Sequence, residues 1–285
     1  LGAEFDGCAW NRSNPDGTIT RWLPLYEAKL LSHYDHRFAT YKGAEGQSLP
    51  RITDAEHDDP NVEPLARYWV LEKEVNEAIG TRTDRDWLFG WRDIARNTDV
   101  RTMIPSILPR SAVGDKFLLM FNQRSDYRPL LQATVSSLAF DFVTRQKASG
   151  TSLKAFLVRQ IAAPTQGCFT NQAVSSSAVR GAVLELTHTS WTSVPLDGGG
   201  SPPFRWNKER RTLIQAELDA LVMQVYGLER HEVEHILDSF PVLCRREERE
   251  CGELRTRRFV LDFYDRMAAA KESGTPYETP ITPPP

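Results

Sequence analysis

Four sets of residues have types and spacings that invite a catalytic reading. Ser201-Pro202-Pro203-Phe204 sets a polar residue and two prolines before an aromatic ring. Such a set can hold an exocyclic amine by side chain and backbone while the ring stacks on an extruded base. That chemistry needs a rigid mount, and Asp197 with Gly198, Gly199 and Gly200 stands directly before it. A glycine run cannot hold a base within catalytic tolerance, so the stretch reads as a linker. Pro15-Asp16 followed by Glu27-Ala28-Lys29 has the letters of a PD…ExK nuclease, in which two carboxylates and a lysine surround a divalent metal. Asp16 lies in the turn word Asn14-Pro15-Asp16-Gly17, and the spelling is common by chance. His33, Asp35 and His36 could share a metal, the two histidines on one helical face, but no third ligand stands at suitable spacing. Ser136 and Ser137 fall in a helical word with no neighbouring base, which leaves a nucleophile there without activation.

Three further words join cations to planar or hydroxyl side chains and suit nucleic acid better than catalysis. The first is His36-Arg37-Phe38 with Tyr41-Lys42. The second is Trp91-Arg92-Asp93-Ile94 with Arg96, Asn97, Arg101 and Thr102. The third is Arg145-Gln146-Lys147 with Gly150, Thr151, Ser152 and Lys154. In the third, a Gly-Thr-Ser turn opening a helix would offer free N–H groups to a phosphate, with Arg145 and Lys147 beside it. The same two cations could instead complement the dipole of their own helix. Arg92 could contact guanine or phosphate, or Arg92 or Arg101 could form an internal ion pair with Asp93. Gln146 carries an amide suited to adenine.

These residues need elements to position them. Leu131, Val135, Leu138 and Phe142 predict one amphipathic helix opened near Pro129 and stopped by Gly150. Leu153, Phe156, Leu157 and Ile161 predict a second, capped by Thr151 or Ser152. Aromatic and β-branched words predict strands at 67–70, 87–94, 101–108 and 117–121, with a short helix over 72–79 between the first two. Residues 43–64 read as a loop. After a Ser-, Thr-, Gly- and Pro-rich stretch, Asn207 caps a helix stopped at Gly227. A shorter helix follows around Val233–Leu237 and a third from Glu253, and residues 244–258 read as a solvated mixed-charge helix or loop surface, or instead as a face that packs on a further domain or tracks DNA phosphate.

Composition bounds the classes. The chain has 285 residues, 40% hydrophobic and 26% charged, with a formal net charge of -3, so bulk charge does not point to nucleic acid. No apolar run is long enough for a membrane span, and the four cysteines form no CxxC pair and read as reduced thiols. The register at Leu1 looks mid-domain, so a piece of a longer protein is expected.

Several words in order resemble the C-terminal target-recognition region of Type IIG-like or phage-defence adenine-N6 DNA methyltransferases from bacterial restriction-modification systems. They are LYEAK (25–29), DHRF (35–38), RYWV (67–70), GWRDI (90–94), ILPR (107–110), DFVTRQKASGTSL (141–153), AELDAL (216–221), YGL (226–228), ILDSFP (236–241), GELRTRR (252–258) and FYDRM (263–267). The helical hairpin is also similar to the closing element of Type I specificity subunits. The resemblance implies an α+β fold: a mixed-sheet DNA target-recognition domain over 1–164 closed by the hairpin, a connection over 165–204, a mainly helical subdomain over 205–274 and a Pro-rich tail over 275–285. It implies a cytoplasmic protein that holds double-stranded DNA for base flipping by its own N-terminal methyltransferase domain. S-adenosylmethionine would sit in that domain and no cofactor in this chain, where no FxGxG-like turn occurs. Expected DNA contacts are Arg37, Arg92, Arg101, Arg145, Gln146, Lys147, Thr151 and Ser152. A different expectation is a protein-interaction module of a multi-subunit defence complex, carried by the helical third.

Overall fold

The computed structural model describes residues 2–46, 48–96, 98–121, 127–148, 150–170, 172, 174–193 and 201–284. Asn97 and the Gly198–Gly200 run lie outside the described residues. The fold is α+β, as expected, with one mixed and one antiparallel sheet. The chain divides into two compact units that interleave in sequence. One comprises Leu1–Asp93, Pro105–Gln123 and Thr187–Trp206, and the other Ile94–Ile104, Arg124–Leu186 and Asn207–Pro285.

The first unit holds the strands. β1 (Glu4–Phe5), β2 (Trp10–Ser13) and β3 (Ile19–Tyr26) run antiparallel, followed after α1 (Asp54–Asp58) by β4 (Trp69–Leu71) and α2 (Glu72–Ile79). The β2–β3 turn forms where Asn14-Pro15-Asp16-Gly17 predicts it. Gly17 takes φ +82, and the Asp16 carboxylate accepts from Thr18 N at 3.0 Å. The 43–64 segment contains α1, fixed by a reciprocal Thr53–Glu56 cap that also ties down the loop. β5 (Trp87–Arg92) lies between β6 (Pro105–Pro109) and β8 (Phe117–Leu119) in a second, three-stranded antiparallel sheet. β7 (Ala112–Val113) pairs parallel with β3. Leu23, Tyr26, Leu30, Leu31, Val75, Ile79, Leu88, Leu108 and Phe117 form the core of this unit.

The second unit holds α3 (Arg128–Ser136), α4 (Leu138–Lys147), α5 (Ala155–Val158), α6 (Ser176–Thr187), α7 (Lys208–Val225), α8 (Arg230–Asp238), α9 (Pro241–Cys251) and α10 (Arg255–Ser273). The predicted long helix over 130–149 is broken at Ser137. That residue is extended (ψ 155), ends α3, and caps α4 by accepting from Phe140 N at 3.1 Å. α4 ends at Ala148 before Gly150 is reached, and α5 is a single turn begun by Lys154 without a side-chain cap. Asn207 caps α7 as expected, accepting from Arg210 N at 3.0 Å, and Gly227 (φ +71) follows its end. α7 packs on α10, α3 and α4. Among the described residues no helix is long and apolar enough to cross a membrane, and the four cysteines are free.

Gly90 explains one word of the sequence by packing alone. A Cβ there would lie 2.3 Å from Leu118 O and 2.7 Å from a Phe117 ring carbon. The carbonyl belongs to the neighbouring strand and cannot yield without opening the sheet. Gly90→Ala is therefore expected to cost about 1–3 kcal/mol through overpacking. Urea unfolding of the purified chain checks it, and an unchanged midpoint would contradict the packing argument.

Candidate nucleic-acid interface

In the second unit, α4 carries Asp141 on its first turn and Arg145 one turn on, both turned inward. The Asp141 side chain is 1% exposed and receives Thr102 N at 3.0 and 3.2 Å and Met103 N at 3.0 Å. Arg101 and Arg145 stand 3.9 and 3.8 Å from the same carboxylate. Arg145 also donates to the carbonyls of Asp99 (2.7 Å) and Val100 (2.9 Å), with its guanidinium 4.2 Å above the Phe240 ring. From α7, Asp219 accepts from Leu138 N at 2.7 Å, capping α4, and lies 3.7 Å from Arg101. Two carboxylates and two arginines thus lock the 94–104 segment, α4 and α7 together. Burial pushes the Asp141 carboxyl up against the pull of both arginines, and lifts Asp219 to about 6. Burial likewise lowers Arg145 against Asp141.

This lock decides which expected DNA residues are available. Arg101 and Arg145 are internal struts, and the acidic partners of Arg101 are Asp141 and Asp219 rather than Asp93. The Gly-Thr-Ser turn does not open a phosphate-binding helix. Ser152, half-buried, bridges Ile94, and Thr151 O accepts from Ala95 N at 3.2 Å, so the turn is joined to the 94–104 segment. What remains at the rim of the frame is Gln146, Lys147 and Thr151, all exposed.

The other two words belong to the first unit. Arg37 is fully buried and is corrected from base reader to scaffold. Its two terminal nitrogens donate to the carbonyls of Asp59 and Val62 (2.9 Å each) and His57 and Thr189 (2.8 Å each). Arg92 ends β5 half-buried, paired in register with Phe117.

The catalytic words are also placed. His33 and His36 lie outside any helix, and the histidines pair locally: His57 Nε2 with Asp35 at 3.3 Å, His36 Nε2 with Glu63 at 3.4 Å. His36 Nε2 also faces Ser190 Oγ at 3.2 Å. A Ser–His–carboxylate relay needs two different ring nitrogens, and here one nitrogen faces both partners, with Ser190 fully buried. Among the described residues no three His, Cys, Asp or Glu side chains gather as a metal site. Asp16 and Glu27 flank opposite ends of the eight-residue β3, roughly 25 Å apart at strand rise, too far to share an ion. Phe204 N donates to His188 O at 2.8 Å in extended chain, not at a strand end. Ser136 and Ser137 are buried. The 244–258 segment contains the end of α9, a left-handed Gly252 and the start of α10. Arg255, Arg257 and Arg258 pair there with Glu209, Asp238 and Glu253.

Comparison of the chain with protein-family models, with curated proteins and with solved structures gives no match.

Two outcomes follow from the lock. Arg145→Met leaves Asp141 with Arg101 and its backbone donors but frees the carbonyls of Asp99 and Val100, and should cost about 1–3 kcal/mol of unfolding free energy, read by denaturant titration. Asp219 has its carboxyl raised in the folded state, so its stabilisation is complete below the ordinary aspartate value and is lost as pH rises through about 6. Asp219→Asn keeps an acceptor for Leu138 N and removes that titration. Its thermal midpoint relative to the parent should rise between pH 4 and pH 7.5, and a constant difference would reject the assignment.

Proposed function

We propose that this chain is the DNA target-recognition part of a cytoplasmic, site-specific adenine-N6 DNA methyltransferase. It would hold duplex DNA while a separate N-terminal domain, carrying S-adenosylmethionine, flips and methylates the base. The reading rests on the ordered sequence words and on one structural observation in their favour. The buried Arg101–Asp141–Arg145–Asp219 lock frames a rim from which Gln146, Lys147 and Thr151 project into solvent. A rigid frame bearing a few exposed polar side chains is how scaffolds commonly present recognition loops. Lys147 would neutralise a phosphate, Thr151 would add a hydroxyl contact, and Gln146 has the amide for adenine. Arg101 and Arg145 would act indirectly, by holding that surface in place, while Arg37 braces backbone within the first unit.

Fluorescence anisotropy with a labelled duplex over a salt series tests this. Affinity should fall steeply with salt, each neutralised phosphate adding a log–log slope of about −0.9. Lys147→Ala should weaken binding severalfold, reduce that slope by about 1, and leave the unfolding midpoint nearly unchanged. Absence of binding at low salt, or a Lys147 variant that binds like the parent, would count against the reading.

A further inference from the structure

The Pro-rich tail does not leave the second unit. Gly274 (φ +68) ends α10, and the chain then runs along α7 towards its N-terminus. Tyr277 OH donates to Glu217 Oε1 of α7 at 2.7 Å, and Arg210, also of α7, donates to Thr282 O. Tyr277 and Ile281 are half-buried anchors, and the other tail residues that the structure describes are exposed. The tail is thus a strap held at a few points. It does not fill the space between itself and the helices. A cavity of about 400 Å³ remains there, walled by α6, α7, α10 and the strap. Well-packed interiors leave few voids larger than a water molecule, so a space of this size is more than packing slack. It is the size of a small-molecule pocket.

The surface facing the cavity is mostly apolar. Ile214, Leu218 and Leu221 of α7 back it as core residues. Ala178 and Ala182, one turn apart on α6, and Ile281 of the strap line it and keep accessible surface. The two alanines are short, and that leaves room between α6 and the strap. The ionisable groups in the wall are matched to one another. Arg210 is paired with both carboxylate oxygens of Glu185, the second at 2.9 Å. Glu217 is capped by the Tyr277 hydroxyl, and burial raises its carboxyl above the ordinary glutamate value. A charged guest would have to give up its hydration without meeting a free counter-charge, which is costly. A guest without charge would bury apolar surface at no such cost.

We propose that this cavity binds a small neutral molecule that is mostly hydrocarbon, a short alkyl chain or a fused ring pair, held between α6, α7 and the strap. The site lies within the second unit and does not rest on the DNA reading.

Fluorescence titration of the full chain with N-phenyl-1-naphthylamine, a neutral dye that brightens out of water, tests it. The dye should bind saturably and should raise the thermal midpoint. n-Octanol should displace it, with octanoate and octylammonium each at least about tenfold weaker. Ala182→Phe should fill the space and weaken the dye at least about tenfold, with circular dichroism reporting whether the variant folds. Ala178→Phe, at an exposed position, should act in the same direction and decides the matter if Ala182→Phe does not fold. No saturable dye binding, a charged octyl compound that displaces the dye as well as octanol does, or dye binding unchanged in the folded phenylalanine variants overturns the proposal.

Discussion

The second unit depends on how charge is buried. A carboxylate taken out of water is tolerated only when cations and N–H groups replace its hydration. Asp141 meets that demand with three backbone donor contacts and two arginines, and Asp219 with the first N–H of α4 and one arginine. Both demands are met by the present arrangement of the 94–104 segment against α4 and α7. The lock therefore contributes position more than stability. An apolar core could hold the same helices, but it would not dictate where residues 146–151 come to rest.

The first unit uses a comparable device with one side chain. Arg37 gathers four carbonyls from His57, Asp59, Val62 and Thr189. Irregular chain has few internal partners for its carbonyls, and a planar five-donor guanidinium supplies several at once. In both units, arginines that look from their neighbours in sequence like ligand-binding residues serve as internal braces.

That contrast shows how far the sequence was legible. Local signals carried well. The 72–79 helix, the Asn14–Thr18 turn, the Asn207 cap and the Gly227 stop all follow from residues within a few positions of one another. The break at Ser137 is equally local, but the apolar periodicity of 131–142 concealed it, although a serine three residues before Phe140 is itself a cap signal. α9 had its punctuation too, Pro241 at the start and Gly252 at the end, but its charges pointed to mere surface. Roles that depend on distant chain were not legible. Nothing near Arg37 announces Thr189, nothing near Arg101 announces Asp219, and the cavity draws its wall from separate stretches of α6, α7, α10 and the tail. A window along the sequence sees whether a residue is charged, not whether its charge is already satisfied.

The cap on α4 has a bearing on biosynthesis. The N-terminal amide of that helix is satisfied by Asp219, 81 residues downstream. During translation, α4 leaves the ribosome with this donor and the Arg101 guanidinium lacking their Asp219 partner. They must stay hydrated, or be shielded by a chaperone, until α7 has been made. Division at the Ser- and Gly-rich stretch would give no self-sufficient halves, since residues on its N-terminal side wait for a carboxylate encoded beyond it.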